Sequence, residues 1–235
     1  MKRLFPAFLA ATFLLSGCAA KAQNPVNTSD LPLIPAISYD QSERDLPKIL
    51  LIGDSISFGY APFVAQKLRG KAQVFRLRGR TVATVSGSLI LDTRAGMRNI
   101  DAWMSEKWRV VHFNWGLHDL KRNSSGELAV SPDEYEKNLE ILADKMRENG
   151  AKLILATTTP IPAGKMEPPR VAGDELRFNE AATRVARLKN IAVNDLHGAV
   201  SRAISQNPEG TIQQKSNVHF TPRGSQILAD SVVQS

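Results

Sequence analysis

The chain of 235 residues contains a single cysteine, Cys18, so no disulfide can form within it. It also lacks any apolar run near the roughly 20 residues needed to cross a bilayer. Its four histidines and one cysteine do not fall at metal-ligand spacing, so no metal is expected. Neither a Gly-Lys-Ser/Thr loop nor a G-x-G-x-x-G follows an apolar run, which argues against a phosphate-loop nucleotide site and leaves no cofactor expected. No Lys/Arg block with interleaved aromatics is present, and nucleic acid is not expected as a partner. There is no internal repeat.

What is present begins with a positively charged start, Lys2-Arg3, followed by the nearly unbroken apolar run Leu4 to Leu15. That is the shape of a secretory signal that is removed. The run ends in Leu15-Ser16-Gly17-Cys18, which resembles the lipobox of bacterial lipoproteins. The resemblance implies a signal over 1–18, acylation of Cys18, and a membrane partner through that lipid. Ala19 after the cysteine points to the outer membrane. Loss of Lys2 and Arg3 takes the formal charge from +7 to +5. A surface of that sign suits anionic glycans, lipid headgroups or cell-wall polymers, although a plain basic solvated surface is the alternative.

Residues 19–46 hold three prolines among polar residues with no periodicity and read as a flexible tether. From 47 to 235 the chain is long enough for one domain. Apolar runs at 49–52, 74–77, 110–113, 153–157 and 191–195 alternate with helical patterns at about 61–68, 94–105, 131–149, 174–189 and 221–233. Ser131-Pro132-Asp133-Glu134 opens the longest helix with a capping serine, and Gly150 closes it. Five strands separated by helices predict an α/β fold, a three-layer α/β/α sandwich on a five-stranded parallel sheet of flavodoxin-like type. In such sheets ligands lie beyond the carboxyl ends of the strands.

The first residues at such an end are Gly53-Asp54-Ser55. Asp and Ser also cap helices and end strands, so the tripeptide alone is weak. Near the other end of the chain, Val218-His219-Phe220-Thr221-Pro222 places a histidine directly before a helix cap. Together the two blocks resemble the first and last motifs of the SGNH (GDSL-like) hydrolases. The resemblance implies that Ser55 attacks an ester carbonyl and His219 takes its proton. It also implies an oxyanion held by the serine N–H, a glycine N–H and a side-chain donor. Between them, Asn114-Trp115-Gly116-Leu117-His118-Asp119 resembles the family's Gly-x-Asn-Asp motif, with His118 in place of the asparagine donor. Gly87 is the candidate for the glycine donor. Asp54, Asn114 and Thr159, at the cleft ends of strands, are expected to contact substrate.

The acid departs from the family pattern, which would put an aspartate three residues before His219, where Ser216 stands. Ser216 or a nearby carbonyl is then expected to orient the histidine, giving a dyad. Asp195 is expected to cap the segment after it rather than to supply the acid. The implied activity is hydrolysis of an O-acyl ester, acetyl foremost, on a carbohydrate or other small alcohol of the cell envelope. A binding lipoprotein without turnover and an acyltransferase are the alternatives.

Overall fold

Three consecutive fully buried residues, Leu50, Leu51 and Ile52, mark a strand covered on both faces, because neighbouring side chains on a strand point to opposite sides. In the computed structural model, which describes residues 33–77 and 91–235, this strand is central to a six-stranded sheet. The strands are β1 (Leu33–Pro35), β2 (Lys48–Ile52), β3 (Gln73–Leu77), β4 (Val110–Phe113), β5 (Lys152–Ala156) and β6 (Ala192–Asn194), in the order β1-β3-β2-β4-β5-β6. All neighbours are parallel except β1, which runs antiparallel to β3 with Ile34 opposite Arg76.

The helices are α1 (Ser55–Lys67), α2 (Thr93–Trp103), α3 (Pro132–Glu148), α4 (Asp174–Leu188), α5 (Leu196–Ser205) and α6 (Pro222–Gln234). They form two packed groups, with α6 lying between α1 and α5 in one and α3 between α2 and α4 in the other. The α1–α6 contact is close at Gly59, where a Cβ would stand 3.1 Å from Ser225 Oγ. Strand β2 leads on to β3 on one side while its other neighbour, β4, leads on to β5, so the connections leaving these two adjacent strands turn in opposite directions. A crevice opens at such a reversal, and the residues after β2 and β4 border it.

The structure corrects the expected fold in three places. The tether does not reach 46: β1 adds a sixth, antiparallel strand, Tyr39 Oη accepts the Val74 N–H at 2.7 Å, and Glu43 is buried. Three residues are too few for an alternating pattern to register in the sequence. Helix α1 starts at Ser55 rather than near Ala61, because the Asp54 carboxylate caps it and Ile56, Tyr60 and Ala61 are buried despite Gly59 and Pro62. Helix α5 lies where no helix was expected, and Asp195 caps it by accepting from the Gly198 N–H, as read from the sequence. Among the described residues no helix is long and apolar enough to cross a membrane.

Candidate active site

Ser55 is held by the strand before it and the helix it starts. Strand β2 ends at Ile52, Asp54 Oδ1 accepts the Ile56 N–H at 2.8 Å, and Ser55 is the first residue of α1. At that position its own N–H has no intrahelical acceptor and sits at the positive end of the helix dipole. His219 approaches from the loop before α6. That loop is closed by Gln214 N–H donating to His219 O at 2.9 Å and Thr221 N–H donating to Ile212 O at 3.0 Å, while Thr221 caps α6. The result is a hydrogen bond of 2.8 Å between Ser55 Oγ and His219 Nε2.

The other ring nitrogen, Nδ1, lies 2.7 Å from Asn217 Oδ1. The same oxygen accepts the His219 backbone N–H at 3.1 Å, and Asn217 Nδ2 donates to Gln214 Oε1 at 3.2 Å. A backbone N–H only donates, so the atom facing the ring is an oxygen. Nδ1 therefore carries the proton and Nε2 is left to accept from Ser55. Ser216 does not fill the role expected of it: its hydroxyl makes no hydrogen bond to His219, and its backbone is left-handed at φ 49° while it lines the cavity. The orienting group is an amide two residues before the histidine, not a hydroxyl three residues before it. Burial, then the charge of Arg170, lowers the pKa of His219 below its ordinary value.

His118 lines the same cavity as Ser55 and His219. Its Nδ1 accepts the Leu91 N–H at 3.1 Å and lies 2.9 Å from Lys121 Nζ. With Nδ1 accepting, neutral His118 carries its proton on Nε2 and can donate it. Burial first, then Lys121 and Arg170, depress its pKa to about 2, so the ring stays neutral. The loop bearing it is anchored where Trp115 O accepts both Tyr135 Oη at 2.8 Å and Thr158 Oγ1 at 3.0 Å. Next to it, Asp119 is fully buried, takes two hydrogen bonds from Thr93, and has its pKa raised to about 7, chiefly by burial.

The cavity measures about 210 Å³ and is also bordered by Lys121, Met166, Arg170 and Val218. The other expected contacts lie outside this lining. Asn114 Nδ2 donates to Ala156 O at 2.8 Å and ties β4 to β5. Thr159 is buried, and Asp54 is engaged as the α1 cap. Gly87 and Cys18 lie outside the described residues. Sequence reasoning missed Asn217, Lys121 and Arg170. The first was legible as an amide beside the histidine and the second as a lysine one helical turn after His118. Nothing in the sequence around Arg170 marks it. Among the described residues no cluster of His, Cys, Asp and Glu could hold a metal.

Several solved structures resemble this one. They include the acetyl xylan esterase AlAXEase (19% identity, 80% of this chain and 98% of that one, TM-score 0.64) and Axe2, an acetylxylan esterase from Geobacillus stearothermophilus (19%, 80% and 93%, 0.62). A third is LAE5, an α/β hydrolase enzyme from the metagenome of Lake Arreo, Spain (18%, 80% and 94%, 0.64). No curated protein matches the chain. The sequence model of the GDSL-like lipase/acylhydrolase family matches residues 51–227, from β2 into α6, and so takes in both Ser55 and His219. The chain belongs to that family and is a carboxylic ester hydrolase.

Proposed function

We propose that the protein removes a short O-acyl group, acetyl foremost, from a carbohydrate or other small alcohol through an acyl-enzyme on Ser55. The observation that carries this reading is the contact of 2.8 Å between Ser55 Oγ and the unprotonated Nε2 of His219. A hydroxyl becomes an effective nucleophile when a base takes its proton as it attacks. Ser55 Oγ attacks the ester carbonyl and its proton passes to His219 Nε2. In this reading the oxyanion is met by the Ser55 N–H and by Nε2–H of His118, which lines the same cavity; donors oriented before the charge develops stabilise it most. The carbonyl–alkoxy bond then breaks, His219 returns the proton to the leaving oxygen, and water repeats the sequence on the acyl-enzyme. A cavity of about 210 Å³ favours an acetyl-sized group over a long chain, and AlAXEase and Axe2 are named as acetyl xylan esterases.

The site of action in this proposal is the cell envelope, with the domain held to a membrane by lipid on Cys18; the Leu15-Ser16-Gly17-Cys18 sequence supports it. A Cys18→Ser protein is then expected in the soluble fraction, and undiminished membrane association would refute the anchor.

A fluorophosphonate probe tests the catalytic reading directly. Ser55 should be labelled in the wild type, lost as a site in Ser55→Ala, and labelled far more slowly in His219→Ala. Ester hydrolysis should fall as far in either single variant as in the double, because the pair acts as a unit. Absence of labelling at Ser55 in the folded protein would overturn the proposal.

A further inference from the structure

The cavity contains two cations with which no carboxylate pairs directly among the described residues. Lys121 and Arg170 line it beside Ser55, His118 and His219, and both are partly buried. Among the described residues neither makes an ion pair, whereas Arg122, next in sequence to Lys121, pairs with Asp174 at 2.5 Å. Arg170 is fixed by its Nε donating to Leu117 O at 2.8 Å and its Nη1 to Pro168 O at 3.3 Å. Among the described residues no hydrogen bond engages Nη2 of the guanidinium. Glu167 borders the cavity but is exposed and lies beyond ion-pair distance of both cations. Asp54 interacts with both charges and Asp92 and Asp119 with that of Lys121, but none of the three is within ion-pair distance, and burial works against the ionisation of Asp54 and Asp119.

This arrangement is poor for a neutral substrate. In the transition state His219 must become an imidazolium, and its partner Asn217 has no charge to offset that. Arg170 already disfavours the protonated ring. In a half-enclosed cavity three positive charges repel one another more strongly than they would in water. A negative charge brought by the substrate would answer all three.

On the reading that Ser55 and His219 hydrolyse an ester, we infer that the substrate is an anionic ester, whose carboxylate or similar group is held by Arg170 and Lys121 while its carbonyl lies against Ser55. An O-acylated acidic sugar carries such a charge on the alcohol side, and a half-ester of a dicarboxylic acid carries it on the acyl side. In either case the anion supplies part of the imidazolium stabilisation that a triad carboxylate would otherwise give.

The test uses the full-length protein in detergent with matched esters: phenyl acetate, the acetate ester of 3-hydroxybenzoate, and the phenyl half-ester of succinic acid. One anionic ester should exceed the neutral one in kcat/KM by about tenfold or more, and which one does so tells the side that bears the charge. The advantage should shrink as NaCl rises from about 0.05 to 0.5 M. In Arg170→Gln the anionic-to-neutral ratio should collapse towards one, with Arg170→Lys restoring part of it. An equal or lower kcat/KM for both anionic esters, or a preference indifferent to salt, overturns the inference. The salt comparison needs no variant, so it decides even if Arg170→Gln does not fold. Fluorophosphonate labelling of Ser55 separates the two readings: labelling without anion preference overturns this inference alone, and no labelling with no turnover overturns both.

Discussion

Asn217 gives His219 a partner that sets its tautomer and contributes no charge. Loss of the acid can cost roughly 10⁴ in rate when it leaves the wrong tautomer, but here Oδ1 holds the right one. What is missing is stabilisation of the imidazolium. Asn217→Asp should therefore raise kcat/KM for a neutral aryl ester about tenfold, near 1.4 kcal/mol of transition-state stabilisation. A carboxylate also favours the protonated ring. The acid limb of the pH–rate profile, expected below the ordinary histidine value of about 6.5 in the wild type, should move up in this variant. Asn217→Ala should lower the rate instead, and Ser216→Asp should leave it nearly unchanged, since residue 216 does not meet the ring. Steady-state kinetics across pH on the three variants checks this, and a gain from Ser216→Asp alone would reverse the assignment. Ser55 and His219 were legible because a strand end and a helix cap place them in two blocks that together resemble the family's first and last motifs, each block being weak alone. Asn217 was passed over because the pattern directed attention one residue away. Arg170 reaches the site from a loop with no strand or cap to mark it.

At the level of elements, the loop between β4 and α3 aims His118, and Gly116 sets its path. Gly116 has φ 145°, and a Cβ there would stand 2.1 Å from Thr158 Oγ1, the hydroxyl that donates to Trp115 O. Gly116→Ala must move that loop or break that bond. It should cost about 1–3 kcal/mol in backbone strain alone and lower kcat with little change in KM. His118→Ala should lower kcat by roughly 10² to 10³, as expected for loss of one oxyanion donor, and should also cost about 1–3 kcal/mol of stability because the buried Leu91 N–H loses its acceptor. Steady-state kinetics on both variants, with thermal melting to show that each is folded, checks this, and an unchanged kcat in His118→Ala would exclude the donor role. Most elements were legible in outline. Apolar runs buried on both faces stand out as strands, and Ser131-Pro132 and Thr221-Pro222 cap α3 and α6 as read. β1 and α5 were not legible. A three-residue edge strand has no period to read, and α5 follows β6 with only Asp195 between them, so Asp195 was read as a cap but the helix after it was not.

Across the whole molecule, a line of polar groups runs through the sheet under the cleft. His112 on β4 is buried, and its Nε2 lies 3.1 Å from Asn194 Nδ2 at the end of β6. Asn194 Oδ1 accepts from Ser231 Oγ of α6 at 2.7 Å, which turns the amide so that Nδ2 donates to the ring. The histidine must be neutral to accept, and burial lowers its pKa to about 4. The sign follows from where the proton binds. Between about pH 6.5 and 4 the unfolded chain takes up a proton at His112 that the folded chain refuses, so this contribution is complete above 6.5 and lost as the pH falls. Asp119 works in the opposite direction, its pKa being raised to about 7, so the two partly cancel in the wild-type curve. Substitution separates them. His112→Gln keeps an acceptor for Asn194 and removes the titration, leaving Asp119 as it was. Its stability relative to wild type should therefore improve as the pH is lowered from 7 to 4, by up to about 3 kcal/mol for a displacement of roughly 2.5 pH units. Urea unfolding of both proteins at pH 4, 5, 6 and 7 measures that difference. A gap that stays constant over the range would mean that His112 titrates in the folded sheet as it does in water.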